Sequence, residues 1–164
     1  MARRAAAARN EASKSAKGAA PVAFGLLTGW IGFNLRMAQA VSFQAFARRS
    51  REIGEKPGRF ATLMLIGCNP GISQTALGRA NGRDKSTITP TVEDLVRAGL
   101  VQRWRPSSDR RVYRLALTPA GEKVLARLSE CARAHERQLD RLVGRRDRAL
   151  FLRLLRRIAA DIGG

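Results

Sequence analysis

Ser73 to Gly121 reads SQTALGRANGRDKSTITPTVEDLVRAGLVQRWRPSSDRRVYRLALTPAG, and the punctuation of that stretch decides the fold. It parses as a short helix, a glycine-containing turn, a second helix, and two strands joined by a basic loop. Ser73 and Asp84 stand where helix caps belong, because their side chains can accept from the free amides of the turn that follows. The second helix opens on Lys85-Ser86-Thr87-Ile88-Thr89, a turn rich in groups that bond phosphate oxygens or base edges. Ile88, Val92, Leu95 and Val96 fall on one face at helical spacing, which leaves the polar face open. Gly99 suits the left-handed position that closes a helix. Two helices about a tight glycine turn, the second with a polar front, make a helix-turn-helix.

The following residues extend the design. Leu100–Arg105 and Val112–Leu117 have strand composition, the second with alternating apolar residues, and Pro106-Ser107-Ser108-Asp109-Arg110 between them is turn chemistry. The result is a hairpin tipped by Arg110 and Arg111.

On DKSTITPTVEDLVRAGLV, on Asp109-Arg110-Arg111 and on LALTPAG (Leu115–Gly121), the chain resembles the MarR family of winged helix-turn-helix regulators. The wing followed by LALTPAG is the specific part. The resemblance implies a mainly α fold with a small β-hairpin wing (α+β), flanked by N- and C-terminal dimerisation helices. The Ala-, Arg- and Lys-rich composition of residues 1–20 suits a disordered basic tail, or a basic arm that adds phosphate contacts, and the resemblance makes 21–55 an N-terminal helix for dimerisation and the ligand pocket. Residues 56–117 form the DNA-binding domain, and 118–164 the C-terminal dimerisation helices. The chain also departs from the family. Asn81 and Arg83 flank Gly82 where leucine-like residues are usual, and Ala76 replaces a capping glutamate. Pro90 predicts a slight kink in the second helix, since it lacks the N–H that would bond Ser86.

Composition points the same way. Thirty-one Lys and Arg against 13 acids give a formal net charge of +18, a balance that calls for a polyanionic partner. No apolar run is long enough to cross a bilayer, and the N-terminus lacks a signal-peptide core, so a cytoplasmic protein without a membrane partner is expected. Cys68, Cys131 and the single His135 do not make a zinc site of ordinary spacing. No paired carboxylates, nucleophile-base set or phosphate loop appears, so neither catalysis nor a cofactor is expected.

Around the central stretch, one long helix is expected from Pro21 to about Arg49, apolar on two faces. Pro57 starts the next helix, which ends near Cys68, read as a small buried residue. Thr118 caps a helix whose stripe Val124, Leu128, Cys131, His135, Leu139 and Leu142 predicts a packing seam between subunits, with His135 packed in it. Gly144 separates a last helix with an apolar stripe and an arginine-rich face.

For function, the double-stranded operator's phosphates would meet Arg83, Arg105, Arg110 and Arg111, while Lys85, Ser86, Thr87 and Thr89 read bases in the major groove. The resemblance gives Asp109 a structural part in the wing. It also implies a homodimer reading a near-palindrome, and a small aromatic acid as effector. Trp30, Phe33 and Met37, with Phe60 and Met64, supply an apolar slot; Asn34 and Arg36, or Arg59, supply polar contacts. The nearest resemblance is to the branch governing aromatic-acid and hydroxycinnamoyl-CoA catabolism, and surplus arginine suits a CoA thioester. A nucleoid-type protein that coats DNA without an effector is the alternative.

Overall fold

The computed structural model describes residues 22–82, 85–106 and 112–162. The chain divides into two compact units, Met1–Ala40 and Val41–Gly164. Helix α1, Ile31–Glu52, runs through the division.

In the first unit, a 3-10 turn over Gly25–Gly29 precedes α1. The expected long helix therefore begins at Ile31, ten residues later than the apolar pattern suggested. Gly25 adopts φ +54°, which a right-handed helix cannot absorb, and Trp30 is extended at ψ 128°. Asn34 Nδ2 then ties the turn to the helix, donating to Thr28 O at 2.9 Å and to Trp30 O at 2.8 Å. Phe24 and Phe33 pack with ring centroids 5.7 Å apart.

In the second unit, a 3-10 turn at Pro57–Arg59 leads into α2, Phe60–Cys68. Then come β1 (Ile72–Ser73), α3 (Gln74–Ala80), α4 (Lys85–Arg97), β2 (Val101–Trp104), β3 (Arg114–Leu117), α5 (Pro119–Val143) and α6 (Arg145–Ile162). The sheet has three antiparallel strands in the order β1-β3-β2, so the expected hairpin carries an extra strand. Ile72 pairs with Leu115, and Val101 with Leu117.

The core is one cluster: Leu63 and Ile66 of α2, Leu77 of α3, Ile88, Val92 and Leu95 of α4, Leu115 of β3, and Val124 and Leu128 of α5. The first half of the supposed subunit seam thus belongs to the chain's own core. His135 is 8% exposed, its Nε2 within 2.9 Å of Ser42 Oγ, whereas Leu142 at the far end is 76% exposed.

The LTPAG segment locks the strands to α5. Thr118 Oγ1 donates to Gly99 O at 2.6 Å and accepts from Gly121 N at 3.1 Å. Gly121 passes so close to Leu100 that a Cβ would stand 2.0 Å from its carbonyl oxygen. Gly144, at φ +84°, separates α5 from α6. Cys68 is exposed, not buried, because it falls on the last residue of α2, where the helix leaves the core.

Candidate nucleic-acid interface

The candidate interface lies on α3 and α4. Ser73 caps α3, its Oγ accepting from Ala76 N at 3.1 Å. Asn81 closes that helix and Gly82, at φ +61°, turns the chain. Asn81 fills the place of the family's apolar residue by a polar route: its Nδ2 donates to the Oγ1 of fully buried Thr62 at 3.0 Å.

α4 buries Ile88, Val92 and Leu95 completely or nearly so, while Ser86, Thr87, Pro90, Glu93 and Arg97 are exposed. The helix continues through Pro90 without interruption. Gly99, at φ +68°, ends it as expected, with Gly99 N donating to Val96 O and Leu100 N to Leu95 O. Thr89 is half-buried, and its Oγ1 accepts from Gln74 Nε2 at 2.8 Å. That bond places Thr89 at the seam between the two helices, further from the open face than Ser86 and Thr87. Thr91 Oγ1 donates back to Thr87 O at 3.1 Å.

A second fixing point lies at the far end of α4. Asp94 accepts from Arg59 Nη2 at 3.0 Å and lies 3.5 Å from Lys56 Nζ. The Arg59 hydrogen bond holds the Asp94 carboxyl below its ordinary pKa of 3.8. Arg59, considered from sequence as a ligand contact, is therefore engaged in orienting α4. Its side chain is only 15% exposed.

Beside α4, the wing stem presents Arg105 and Arg114, both exposed, with Arg103 half-buried. Arg114 Nη1 donates to Gly71 O at 3.1 Å. Asp84 and, of the nominated residues, Arg83, Asp109, Arg110 and Arg111 lie outside the described residues, and Lys85 opens α4. Gln74, Asn81 and Tyr113 belong to this region; the sequence marked Asn81 only as a departure from the family pattern and did not single out the other two. Gln74 and Asn81 act through side-chain bonds to partners 15 and 19 residues away, which no local pattern reveals.

The nominated effector residues fall in both units. In the first, Trp30, Asn34, Arg36 and Met37 are exposed and Phe33 half-buried. The Arg36 guanidinium lies 5.4 Å from the Phe33 ring centre, and its Nη2 reaches Met37 Sδ at 3.5 Å. In the second, Phe60 packs on Phe46 at 5.7 Å between centroids, and Met64 Sδ lies 3.8 Å from Cys68 Sγ. An open, largely apolar groove of about 480 Å³ lies among Ile66, Cys68, Leu117, Glu122 and Leu125, and none of the nominated residues lines it. Among the described residues there is no group of three or more metal-ligating side chains, and no helix long and apolar enough to cross a membrane.

Comparison with known proteins sets these features in a family. The MarR family model matches residues 56–113. A proposed transcriptional regulatory protein for the hcr operon of Thauera aromatica is 34% identical over 140 residues, which is 85% of this chain and 84% of that protein. The transcriptional repressor CouR, solved bound to a 23-mer DNA duplex, aligns with a TM-score of 0.78 at 33% identity, over 85% of this chain and 99% of that one. CouR bound to p-coumaroyl-CoA gives a TM-score of 0.78 at 30% identity, over 86% and 99%.

Proposed function

The chain belongs to the MarR family of DNA-binding transcriptional regulators, and on that premise we propose that it is a ligand-responsive repressor. It acts as a homodimer on a near-palindromic operator and is released when a small aromatic anion, or its CoA thioester, binds. The observation that carries this reading is the structural likeness to CouR over 85–86% of this chain, CouR being a repressor solved both on DNA and with p-coumaroyl-CoA.

Features of the chain itself support each part. On the second unit, Leu150, Phe151 and Leu154 of α6 are 38–45% exposed and Ile162 is 80% exposed. So much apolar surface on one helix suits a covering subunit. For DNA, we assign base readout to Lys85, Ser86 and Thr87 at the start of α4, with Thr89 seated against Gln74. Phosphate contacts fall to Arg83, Arg105, Arg110 and Arg111, with Asp109 holding the wing. For the effector, Arg36 stacked by Phe33 next to Met37, with Trp30 and Asn34 nearby in sequence, offers a cation among aromatic surfaces. That chemistry fits an aromatic carboxylate.

The test is anisotropy of a labelled fragment from the chain's own promoter, against a duplex of random sequence. Affinity for the specific site should exceed random binding by about 10³ or more and fall steeply with salt. p-Coumaroyl-CoA or its free acid should release the fragment, with CoA alone as the control. Equal affinity for both duplexes would leave an effector-independent DNA coat. Specific binding that no aromatic acid or thioester relieves would end the effector assignment. A monomer by light scattering would end the dimer.

A further inference from the structure

Tyr113 stands one residue before β3, and strand register explains its neighbours. β2 and β3 pair with Trp104 opposite Arg114 and Arg103 opposite Leu115. Continuing that register one step past the strand ends would set Arg105 across from Tyr113, with Arg103 diagonal to it. Opposed and diagonal side chains on one sheet face are the ones within reach. Both arginines use that reach. Their guanidinium carbons each lie 4.4 Å from the centre of the Tyr113 ring, and Arg105 Nη2 donates to the Tyr113 hydroxyl at 2.7 Å.

Two cations held at one ring repel each other, so an anion that reaches both would be favoured. Among the described residues neither arginine pairs with a carboxylate. β2 is an edge strand, and Arg105, the residue just past its end, is exposed, so an incoming anion has access. Arginine loses much rotamer freedom when it is fixed on binding. A guanidinium already seated on an aromatic ring has lost part of that freedom beforehand, which favours the bound state.

The geometry points to Tyr113 as a positioning residue for DNA: it holds Arg103 and Arg105 as a preset pair for a backbone phosphate, at the outer end of the strand that follows α4. The inference rests on the DNA-binding reading above and adds to it a residue that touches no base.

A phosphate contact is blind to sequence, so the test needs no operator. Anisotropy on a labelled mixed-sequence duplex, over a salt series, compares wild type with Tyr113→Phe, Tyr113→Leu, the pair Arg103→Gln/Arg105→Gln, and that pair combined with Tyr113→Leu. Each lost phosphate contact makes the slope of log affinity against log salt shallower by about 0.9. The arginine pair should lose about one such step, Tyr113→Leu should lose at least half as much, and the triple variant should match the arginine pair. Lower affinity at an unchanged slope would mean a structural role only and overturns the proposal, as would a Tyr113→Leu effect that persists in full without the arginines. If Tyr113→Leu does not fold, Tyr113→Phe and Arg105→Gln decide: both must make the slope shallower without adding, and a Tyr113→Phe slope equal to wild type overturns it. Failure of the wild-type protein to bind any duplex would instead remove the DNA-binding reading on which the pair depends.

Discussion

Adding one methyl group at Gly121 should be far more damaging than adding one at Gly67. An alanine Cβ at 121 would stand 2.0 Å from Leu100 O and 3.0 Å from its carbonyl carbon. That oxygen is held in place, since it accepts from Thr118 N at 3.0 Å while Thr118 Oγ1 reaches Gly99 O. The backbone must part to admit the methyl. Such overpacking costs about 1–3 kcal/mol, and loosening the Thr118–Leu100 bond about 1 kcal/mol more. Alanine regains at most about 1 kcal/mol over glycine in a helix. The clash wins, with a net loss of about 1–3 kcal/mol, or a fall of several degrees and up to about 12 °C in Tm for a chain of this length. At Gly67 the new Cβ meets Leu117 Cδ1 at 3.0 Å and Leu125 Cδ2 at 3.1 Å. These are side-chain ends that can turn aside, so helix propensity offsets the crowding and Gly67→Ala should stay within about 1 kcal/mol of wild type. Urea and thermal melts by circular dichroism at one fixed protein concentration compare the two. Equal stabilities for Gly121→Ala and Gly67→Ala would refute the argument that backbone approach, rather than helix propensity, sets the residue at 121.

Asn81→Leu restores the family's usual residue type yet strands the buried Thr62 hydroxyl, so it should cost about 1–3 kcal/mol in urea melts, and adding Thr62→Val should recover most of that; a double variant no better than the single would refute this. Asp94→Asn should cost under about 1 kcal/mol at neutral pH because Asp94 is part-exposed. The folded Asp94 pKa lies below its ordinary 3.8, so the pair's contribution is complete above that value and withdrawn as pH falls below it; a wild-type advantage that persists unchanged into strong acid would contradict the ion pair. Ser42→Ala leaves His135 Nε2 buried without its bond and should lower stability by about 1–3 kcal/mol, measured by the same melts; no change would mean the pair contributes nothing net.

What was legible in the sequence and what was not divides along one line. Ser73, Thr118, Gly99 and Gly144 announced the helix ends because capping depends on one residue and the few amides or carbonyls beside it. The α4 core face was equally plain, since Ile88, Val92 and Leu95 recur at the helical period. The start of α1 was misplaced where two rules competed: the apolar stripe continues back through Leu27 and Phe24, but Gly25 takes a backbone angle the helix excludes. β1 is two residues long and exists only because Leu115, 43 positions later, lies beside Ile72. The α5 stripe showed one continuous face, but periodicity cannot say that Val124 and Leu128 meet the chain's own core while Leu142 stays exposed.

The polar positions of the interface follow the same division and explain why the sequence named its cations more readily than its organisers. Arg105 is conspicuous because charge can be counted, whereas Gln74, Asn81 and Tyr113 act only through a partner that the fold supplies. Tyr113 is the intermediate case. Arg103 on β2, Arg105 just past its end and Tyr113 just before β3 form a triad once the register is known, and the Leu115–Arg103 pairing fixes that register. A family pattern that records each position separately preserves the count of arginines but not the ring that holds them. The salt slope therefore discriminates where affinity alone does not: it counts phosphates met rather than charges carried.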